Sequence, residues 1–450
     1  MLNGSLLKAE EANGSDERLS GGDTTVFLDN NKAFSRPLAN ITSQTLRQHS
    51  IGNSFFNQNW IEAPASAAGR DGLGPFFNAR SCSACHAQDG KGHPRIKGIN
   101  KLGMVTRISI PGVGENGAPL GDPNYGTQLA DFALPSLQPE AKIRLGYHKK
   151  QFVINGRHYV LHQPKLVLRD FAFGPLHDEV MFSNRLAPPV HGMGLINELA
   201  DETILSFADP DDRDKDGISG RPNLVWDRES KKKRIGRFGW KASQPTLKQQ
   251  ITDAFVNDIG ITSSLFPSET VASAQAEKID LQEFPSGGSP EVSDRVVDRV
   301  TTYLATLAPP ARRGLERPSV KAGKKIFHRI QCVACHVPEM KTREDSSLPE
   351  LAGQTIRPFS DFLLHDMGPD LADDRPDFEA TGREWRTPPL WGIGLQHVVS
   401  RHSFFLHDGR ARNVIEAILW HGGEGKKSRD LFVALTQKEK EELFDFLNSL

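Results

Sequence analysis

The chain has 450 residues, a formal net charge of −1 at pH 7 and 37% hydrophobic residues. This near-neutral charge argues against a nucleic-acid partner, and the length is sufficient for two or three domains with their own cores. No run of about 18 apolar residues occurs, so the sequence predicts no membrane span. Residues 1–40 are polar and weakly periodic, and we interpret them as an extended N-terminal arm.

Residues 41–312 are predicted to form a first domain, which contains the motif Cys82-Ser83-Ala84-Cys85-His86. In Cys-x-x-Cys-His, the two thiols attach a c-type haem covalently and the histidine ligates its iron. A glycine-rich loop, residues 71–78, leads into the motif. The sequence therefore predicts haem one, attached at Cys82 and Cys85 and ligated by His86.

A β-rich insertion is predicted at about residues 103–175. Residues 104–110 alternate between apolar and polar side chains, as a half-buried strand does. Residues 151–154 and 157–162 flank Asn155-Gly156, a strong signal for a β-hairpin. Residues 165–173 indicate a further strand.

An acidic loop follows at about residues 208–223. Its carboxylates alternate at Asp212, Asp214 and Asp216 before Gly217, as they do at the start of an EF-hand calcium loop. The twelfth position holds Asn223 instead of the bidentate glutamate. Calcium binding and a solvent-exposed acidic turn therefore both remain open.

Residues 319–450 are predicted to form a second domain, with haem two attached at Cys332 and Cys335 and ligated by His336. Each domain should close with an amphipathic helix, the first near residues 293–307 and the second after the capping box of Thr436 and Glu439. The predicted fold class is mainly α, with two cytochrome c-like haem domains and the β-rich insertion in the first.

An internal repeat supports a duplication, because residues 187–195 and 387–395 share five of nine positions. Aligning Val414 with Leu247 in the helix that follows places His421 opposite Ala254. A haem with two axial ligands is suited to electron transfer, whereas an open one can bind a small oxidant. We therefore expect His421 to close haem two, with Met367 as the rival ligand, and haem one to stay open.

These motifs resemble the dihaem oxidoreductase family, sometimes labelled thiol oxidoreductases, which is related to bacterial dihaem cytochrome c peroxidases and to MauG. The resemblance runs from about residue 50 to 450. It is carried by GPFFNARSC at 74–82, DGISGRPN at 216–223, RFGWKA at 237–242 and LWHGGE at 419–424.

The resemblance implies roles for three further residues. The peroxidases have a tryptophan between the haems, a distal glutamine ten residues later and a catalytic glutamate ten after that. Trp240 and Gln250 match, but the third position is Gly260. Asp258 is the acidic residue nearest to position 260 and is therefore the first candidate for the acid-base role. Glu198 is the second candidate. The position of His421 holds a methionine in these relatives.

The expected function is that of an exported, periplasmic enzyme that activates peroxide at haem one and transfers electrons through haem two. Its partner would be a small redox protein, a cytochrome or cupredoxin, or a protein substrate. Residues 1–10 contain no signal-peptide core, so we expect a leader to be missing from this chain. The alternative is a dihaem electron-transfer protein without peroxidase activity.

Overall fold

A computed structural model describes residues 16–66, 69–95, 102–280, 284 and 286–450. The first fifteen residues of the predicted arm lie outside this range. Residues 16–40 contain one short 3-10 turn, Gly22–Thr24, and otherwise follow an irregular path. Isolated bridges join Val26 to Pro310 and Pro37 to Leu307, and the amide of Arg357 donates to the Ser20 carbonyl at 2.7 Å.

The helices are mostly short. The four longest helices form two pairs, one pair in each predicted haem domain. The helices are α1 (Ser43–Asn57), α2 (Cys82–Cys85), α3 (Met193–Asn197), α4 (Asp201–Leu205), α5 (Leu247–Ala254), α6 (Ser273–Ala276), α7 (Asp294–Ala305), α8 (Pro318–Arg329), α9 (Gln396–Ser400), α10 (Val414–Leu419), α11 (Lys426–Ala434) and α12 (Gln437–Ser449). None of the helices in the described ranges is long and apolar enough to cross a membrane.

The strands form small antiparallel sheets. They are β1 (Phe76–Phe77), β2 (Met104–Val113), β3 (Pro119–Leu120), β4 (Gln128–Leu129), β5 (Phe132–Ala133), β6 (Lys142–Ile154), β7 (Arg157–Arg169), β8 (Met181–Leu186), β9 (Leu224–Asp227), β10 (Lys232–Ile235), β11 (Met340–Lys341), β12 (Thr355–Ile356), β13 (Leu364–Asp366) and β14 (Glu384–Arg386). Strand β2 pairs with β3, β4 and β8, and the others pair as β1-β5, β6-β7, β9-β10, β11-β12 and β13-β14.

The predicted mainly α fold class is wrong, because the structure is only 29% helical and has 20% strand. The sequence indicated strands only in the insertion, but strand pairs also occur elsewhere in both halves of the chain. Two- to four-residue strands such as β1, β11 and β13 are too short to show a period of two. They form because tertiary folding brings distant backbone segments together, which no local pattern reveals.

Two crossed helix pairs repeat the same contact in each half. Gly52 of α1 lies against the Arg299 carbonyl of α7, and Gly323 of α8 lies against the Glu442 carbonyl of α12. An added Cβ would approach each carbonyl oxygen to 2.0 Å, so only glycine permits these crossings. The predicted closing helices are therefore present as α7 and α12, the latter with its Thr436–Glu439 capping box.

The repeated loops 187–195 and 387–395 also occupy equivalent places. The amide of Gly192 donates to the Leu307 carbonyl at 2.8 Å, and that of Gly392 donates to the Leu450 carbonyl at 2.9 Å. The two loops contact each other, since the indole of Trp391 covers Gly192. The repeat seen in the sequence is thus a structural repeat whose two copies meet.

The long hairpin β6-β7 reaches from one half to the other. Asn155-Gly156 forms its turn, as predicted, and the strands pair in unbroken register from Ile154–Arg157 to Lys142–Arg169. A separate strand was predicted at residues 165–173, but residues 165–169 are the far end of β7 and residues 170–173 are not in a strand. Near the turn, Phe152 packs edge-on against Trp420, with ring centroids 5.0 Å apart.

Candidate functional site

Both Cys-x-x-Cys-His segments open onto one cavity of about 450 Å³. Its walls also include the repeated loops, helix α5 and helix α10. The motifs lie 250 residues apart in the sequence, so only the tertiary fold brings their histidines to the same cavity. One cavity lined by two such segments would place two cofactors close to each other.

The motif histidines are held in the form that a metal ligand needs. His86 Nδ1 donates to the Pro188 carbonyl at 2.8 Å, and His336 Nδ1 donates to the Phe359 carbonyl at 2.9 Å. Burial lowers the pKa of each imidazole to about 4, which keeps both rings neutral at pH 7. A neutral ring that donates through Nδ1 has a lone pair free on Nε2 for a metal.

The four cysteines are unpaired thiols beside these histidines. Burial is the main cause that raises the pKa of Cys82 and of Cys332 to about 12. Thiolates are the reactive and metal-binding form of cysteine, so neutral thiols disfavour a zinc site or dithiol redox chemistry. The arrangement fits thiols that bond covalently to a haem.

Helices α5 and α10 form equivalent walls. Each begins at a residue whose side chain accepts from the third helical amide, Thr246 for α5 and Asn413 for α10. Each faces the cavity at helical spacing, through Leu247, Gln250, Ile251 and Ala254 in one half and through Val414, Ala417, Ile418 and His421 in the other. Ala254, the last residue of α5, and His421, two residues after the end of α10, both face the cavity, one with a methyl group and the other with an imidazole.

His421 has the same hydrogen-bonding pattern as the motif histidines. Its Nδ1 donates to the Ala417 carbonyl at 2.7 Å, which leaves Nε2 free. Its rival Met367 also lines the cavity, and the Met367 methyl group and the His421 ring both lie beside Gly425. Both candidate ligands of haem two therefore lie in the same region of the cavity wall. The hydrogen bond to Ala417 fixes the orientation of the His421 imidazole.

Asp258 faces the cavity from the π-helical turn Phe255–Ile259 that extends α5. Such turns are frequent at functional sites. Gln128 Nε2 donates to Asp258 Oδ1 at 2.8 Å. Burial raises the pKa of Asp258 to about 6, against the opposing effect of the Arg107 guanidinium. A carboxyl group with a pKa near neutrality can both accept and donate a proton.

Trp240 and Gln250 also face the cavity. Trp240 Nε1 donates to the Leu186 carbonyl at 2.8 Å, and the Arg386 amide donates to the Trp240 carbonyl at 2.9 Å. Trp240 thus joins segments from both halves of the chain. Among the described residues, the Gln250 side chain makes no hydrogen bond, so its amide is available to a ligand.

The structure shows why position 260 holds glycine and no glutamate. The φ of Gly260 is +75°, a left-handed conformation that favours glycine. A Cβ there would also lie 2.7 Å from the Phe76 carbonyl oxygen and 2.9 Å from the Gly74 Cα. The acid two residues earlier, Asp258, faces the cavity, whereas Glu198 is absent from the cavity wall as described and binds Arg343 at 2.8 Å.

The sequence did not indicate a buried arginine, Arg185, whose surroundings show whether the cavity suits a haem. Arg185 lines the cavity and donates from Nη1 to Asp377 at 2.6 Å. Its Nη2 is buried without a hydrogen-bond partner. Haem carries two carboxylate side chains, and a buried guanidinium is the usual partner of such groups. The residues present therefore fit haem, although no pattern around Arg185 marks it.

Lys91, five residues after His86, was missed as well. It is 7% exposed, and its ammonium lies 5.3 Å from the Trp240 ring centroid and 5.5 Å from that of Phe405. Burial lowers its pKa to about 7. A lysine among cavity residues is unusual, because buried ammonium groups are costly.

A third group missed from sequence surrounds the second attachment segment. His365 lies between Asp361, 2.8 Å from its Nε2, and Glu424, 2.6 Å from its Nδ1. Burial acts to lower the pKa of His365, but the nearby Cys335 sulfur and the Asp361 carboxylate raise it above its usual value. Glu424 belongs to the LWHGGE string, which could have pointed to it. It also accepts from Ser219, and so links the end of the α10 segment to another loop.

The acidic loop brings Asp212, Asp214 and Asp216 together, with one oxygen of each within 4.8 Å of the others. Asn223 does not complete the loop. It is buried, and its amide donates to the carbonyls of Lys241 and Asp377. The loop therefore offers three carboxylates and no twelfth-position ligand.

Comparison with protein families gives one match, described as "Di-haem oxidoreductase, putative peroxidase" and covering residues 15–111 and 171–450. The chain belongs to the di-haem oxidoreductase family. The match includes both Cys-x-x-Cys-His segments and omits residues 112–170, which contain the β6-β7 hairpin. No curated protein matches this di-haem oxidoreductase.

Proposed function

We propose that this protein is an exported, periplasmic peroxidase with two covalently attached c-type haems. The observation that carries the proposal is the shared cavity, where two Cys-x-x-Cys-His segments accompany an open wall at Ala254 and an imidazole at His421. Haem one, on His86, is the peroxide-activating centre. His336 and His421 would hold haem two, which would supply electron transfer.

The chain's own residues supply binding and proton transfer. A ferric haem supplies an electron-accepting iron to which peroxide can bind. Asp258 takes a proton from one peroxide oxygen and returns it to the other, as a carboxyl group with a pKa of about 6 can. The unpaired amide of Gln250 orients the peroxide. Trp240 lies between the halves, where it can carry electrons.

The electron donor in this proposal is a small redox protein, a cytochrome or cupredoxin. A protein substrate that is itself oxidised, as for MauG, is the variant of the same proposal. The family description supports an oxidoreductase in either case. The electron-transfer protein without peroxidase activity is the rival function.

Electron paramagnetic resonance of the purified ferric protein tests the proposal. We expect one high-spin and one low-spin haem signal, and stoichiometric peroxide should remove the high-spin signal. Two low-spin signals that do not respond to peroxide would establish the rival. Mass spectrometry of the denatured protein should find two haems covalently bound, and Cys82→Ala/Cys85→Ala should retain one.

Calcium at the acidic loop is a further part of the proposal. Three carboxylates without a bidentate twelfth ligand predict weak binding, in the range of about 10⁻⁴ to 10⁻³ M. Equilibrium dialysis with ⁴⁵Ca²⁺ should find one such site, which Asp212→Asn/Asp214→Asn removes. Equal calcium uptake by the variant would exclude this loop.

A further inference from the structure

The β6-β7 hairpin is inserted in the first half of the chain, but its turn end packs on the second half. We call residues 150–161 the hairpin tip. One side of the tip belongs to the apolar core that contains Trp420 and contacts Cys332. The other side is open to solvent, where Val153 is 63% and Val160 is 48% exposed. The side chains that reach the core are those of Phe152, Ile154, Tyr159 and Leu161.

The far end of the hairpin stays with the first half. Ile143 is buried together with Ile108 of β2, and Leu145 is buried together with Met104 at the start of β2. A strand of thirteen residues spans about 40 Å, so the hairpin reaches from one half to the other. Residues 112–170 lie outside the family match, and the contact of the tip with the second half is therefore not part of the family pattern.

The tip contacts the chain on both sides of His421. Before His421, the Phe152 ring meets the Trp420 ring edge-on, with centroids 5.0 Å apart. After it, the side chain of Asn155 donates to the Asp430 carbonyl at 3.0 Å, and that of Arg157 donates to the Val433 carbonyl at 2.8 Å. Both carbonyls belong to α11, which begins at Lys426. The tip thus restrains the two segments between which His421 lies.

The indole of Trp420 is held in place by packing. It is 1% exposed, and among the described residues its Nε1 finds no hydrogen-bond partner. The Phe152 ring lies against it, and the Arg410 guanidinium lies 4.8 Å from its centroid. Truncation of Phe152 would leave a void beside Trp420 into which the indole can shift.

His421 has few restraints of its own. Helix α10 ends at Leu419, and Gly422 follows the histidine directly. Among the described residues, the imidazole makes a single hydrogen bond, from Nδ1 to the Ala417 carbonyl. The position of its Nε2 therefore depends on how firmly the neighbouring Trp420 is packed.

We propose that the hairpin tip keeps His421 in place as the second ligand of haem two, with Phe152 as a positioning residue for this imidazole. The inference rests on the proposed function for the assignment of His421 to haem two. It goes further by giving the inserted hairpin a role, which is to slow the release of that ligand. Coordination of haem two thereby depends on a segment of the first half.

Cyanide binding to the ferric holoprotein measures this release without peroxide or an electron donor. Cyanide binds an open ferric haem directly, whereas at haem two the bond between iron and His421 must break before the bond between iron and cyanide forms. No electron is transferred. At saturating cyanide, stopped-flow absorption should therefore show a fast phase from haem one and a slow phase whose rate is that of His421 dissociation.

In Phe152→Ala, the slow phase should become at least about tenfold faster, because the void beside Trp420 weakens the hold on His421. The fast phase and the high-spin resonance signal of haem one should stay as in the wild type. Val153→Ala, on the exposed side of the same strand, is the matched control and should change the slow phase less than about twofold. A slow phase of unchanged rate in Phe152→Ala would overturn the proposal, and so would an equal change at both haems, which indicates a general loss of packing.

Asn155→Gly/Arg157→Met tests the same role without creating a void, and decides the question if Phe152→Ala does not fold. Gly-Gly also suits a two-residue hairpin turn, and methionine keeps most of the arginine stem. The variant loses both hydrogen bonds to α11, and its slow phase should become at least about threefold faster. A rate equal to that of the wild type would contradict the proposal.

His421→Ala separates a failure of this inference from a failure of the proposed function. It should abolish the slow phase, so that both haems bind cyanide rapidly. A slow phase that persists in His421→Ala would overturn the assignment of this ligand, and the inference with it. A slow phase that disappears in His421→Ala but is unaltered in both hairpin variants would overturn the inference alone.

Discussion

At the scale of single residues, ionisation of Asp258 has opposite effects on stability and on activity. Burial raises its pKa from 3.8 to about 6, so the folded protein holds this proton more tightly than the unfolded chain. Its contribution to stability is therefore lost as the pH rises from about 4 to 6. The same rise in pH produces the ionised form that can act as a base.

We predict that the peroxidase rate of the wild type increases with pH through a pKa near 6, and that Asp258→Asn abolishes this limb. The rate should fall by about 10²- to 10⁴-fold. The variant should also be more stable above pH 6, by up to about 3 kcal/mol, because the buried charge is removed. Steady-state kinetics across pH and denaturant unfolding measure both effects.

Glu198→Gln is the matched control, since Glu198 lies outside the described cavity wall. It should keep the pH profile. A profile that follows Glu198 instead would transfer the acid-base role to the reserve acid.

His421 carries the second residue-level prediction. His421→Ala should turn haem two high-spin, because the imidazole with its free Nε2 is removed, while Met367→Ala should leave it low-spin. Electron paramagnetic resonance of the two ferric variants gives the measurement. The reverse pattern would assign the ligand to Met367.

Both residues were indicated from the sequence, His421 by the alignment of the helices that became α5 and α10, and Asp258 by the resemblance to the dihaem peroxidases. The sequence did not indicate Lys91, Arg185 or His365. Their partners, such as Trp240, Asp377 and Glu424, come from distant parts of the chain, and burial gives these side chains their properties. Without contacts, a buried lysine cannot be told from an exposed one.

At the scale of elements, the paired helix crossings repeat a close glycine contact. Phe56 and Phe327 follow the two glycines by four residues and lie 6.2 and 6.3 Å from the rings of His86 and His336. Each crossing thus supports one attachment segment.

We predict that Gly52→Ala and Gly323→Ala each lower the free energy of unfolding by about 1–3 kcal/mol, because the methyl group meets a backbone carbonyl. Each should also disturb chiefly its own haem, which absorption and resonance spectra would report. Gly69→Ala, where a Cβ meets nothing within 4 Å, is the control. An effect of equal size at Gly69 would show that the carbonyl contact is not the cause.

The hairpin turn was predictable from Asn155-Gly156, but the strand lengths were not. The sequence suggested four and six residues beside the turn, and the strands have thirteen each. The buried positions change parity along β6, from Ile143 and Leu145 to Ile154, because the two ends pack on different parts of the protein. A single period of two cannot describe such a strand.

At the scale of the whole molecule, the two repeated loops meet through His191 and Trp391. His191 Nε2 lies 3.2 Å from the Trp391 carbonyl oxygen, and the indole covers Gly192. Trp391 is 4% exposed, although it comes from a loop. This contact joins the two copies of the repeat beside the shared cavity.

We predict that Trp391→Ala lowers the free energy of unfolding by about 3–5 kcal/mol, because it leaves a cavity between the halves. The two haems should then unfold at different denaturant concentrations, as seen in their separate resonance signals. Phe27→Ala, at a side chain that is 63% exposed, should change stability by less than about 0.5 kcal/mol. A single transition of unchanged midpoint in the Trp391 variant would contradict the coupling.

The sequence by itself determined the two haem-binding motifs, their repeat and the contrast between Ala254 and His421. These features depend only on residue identity and spacing along the chain, which the sequence contains directly. Only the tertiary structure decided the strand content, the shared cavity, the contact between Lys91 and Trp240 and the position of the hairpin tip beside Trp420. These depend on burial and on contacts between residues far apart in the chain, which no local pattern contains.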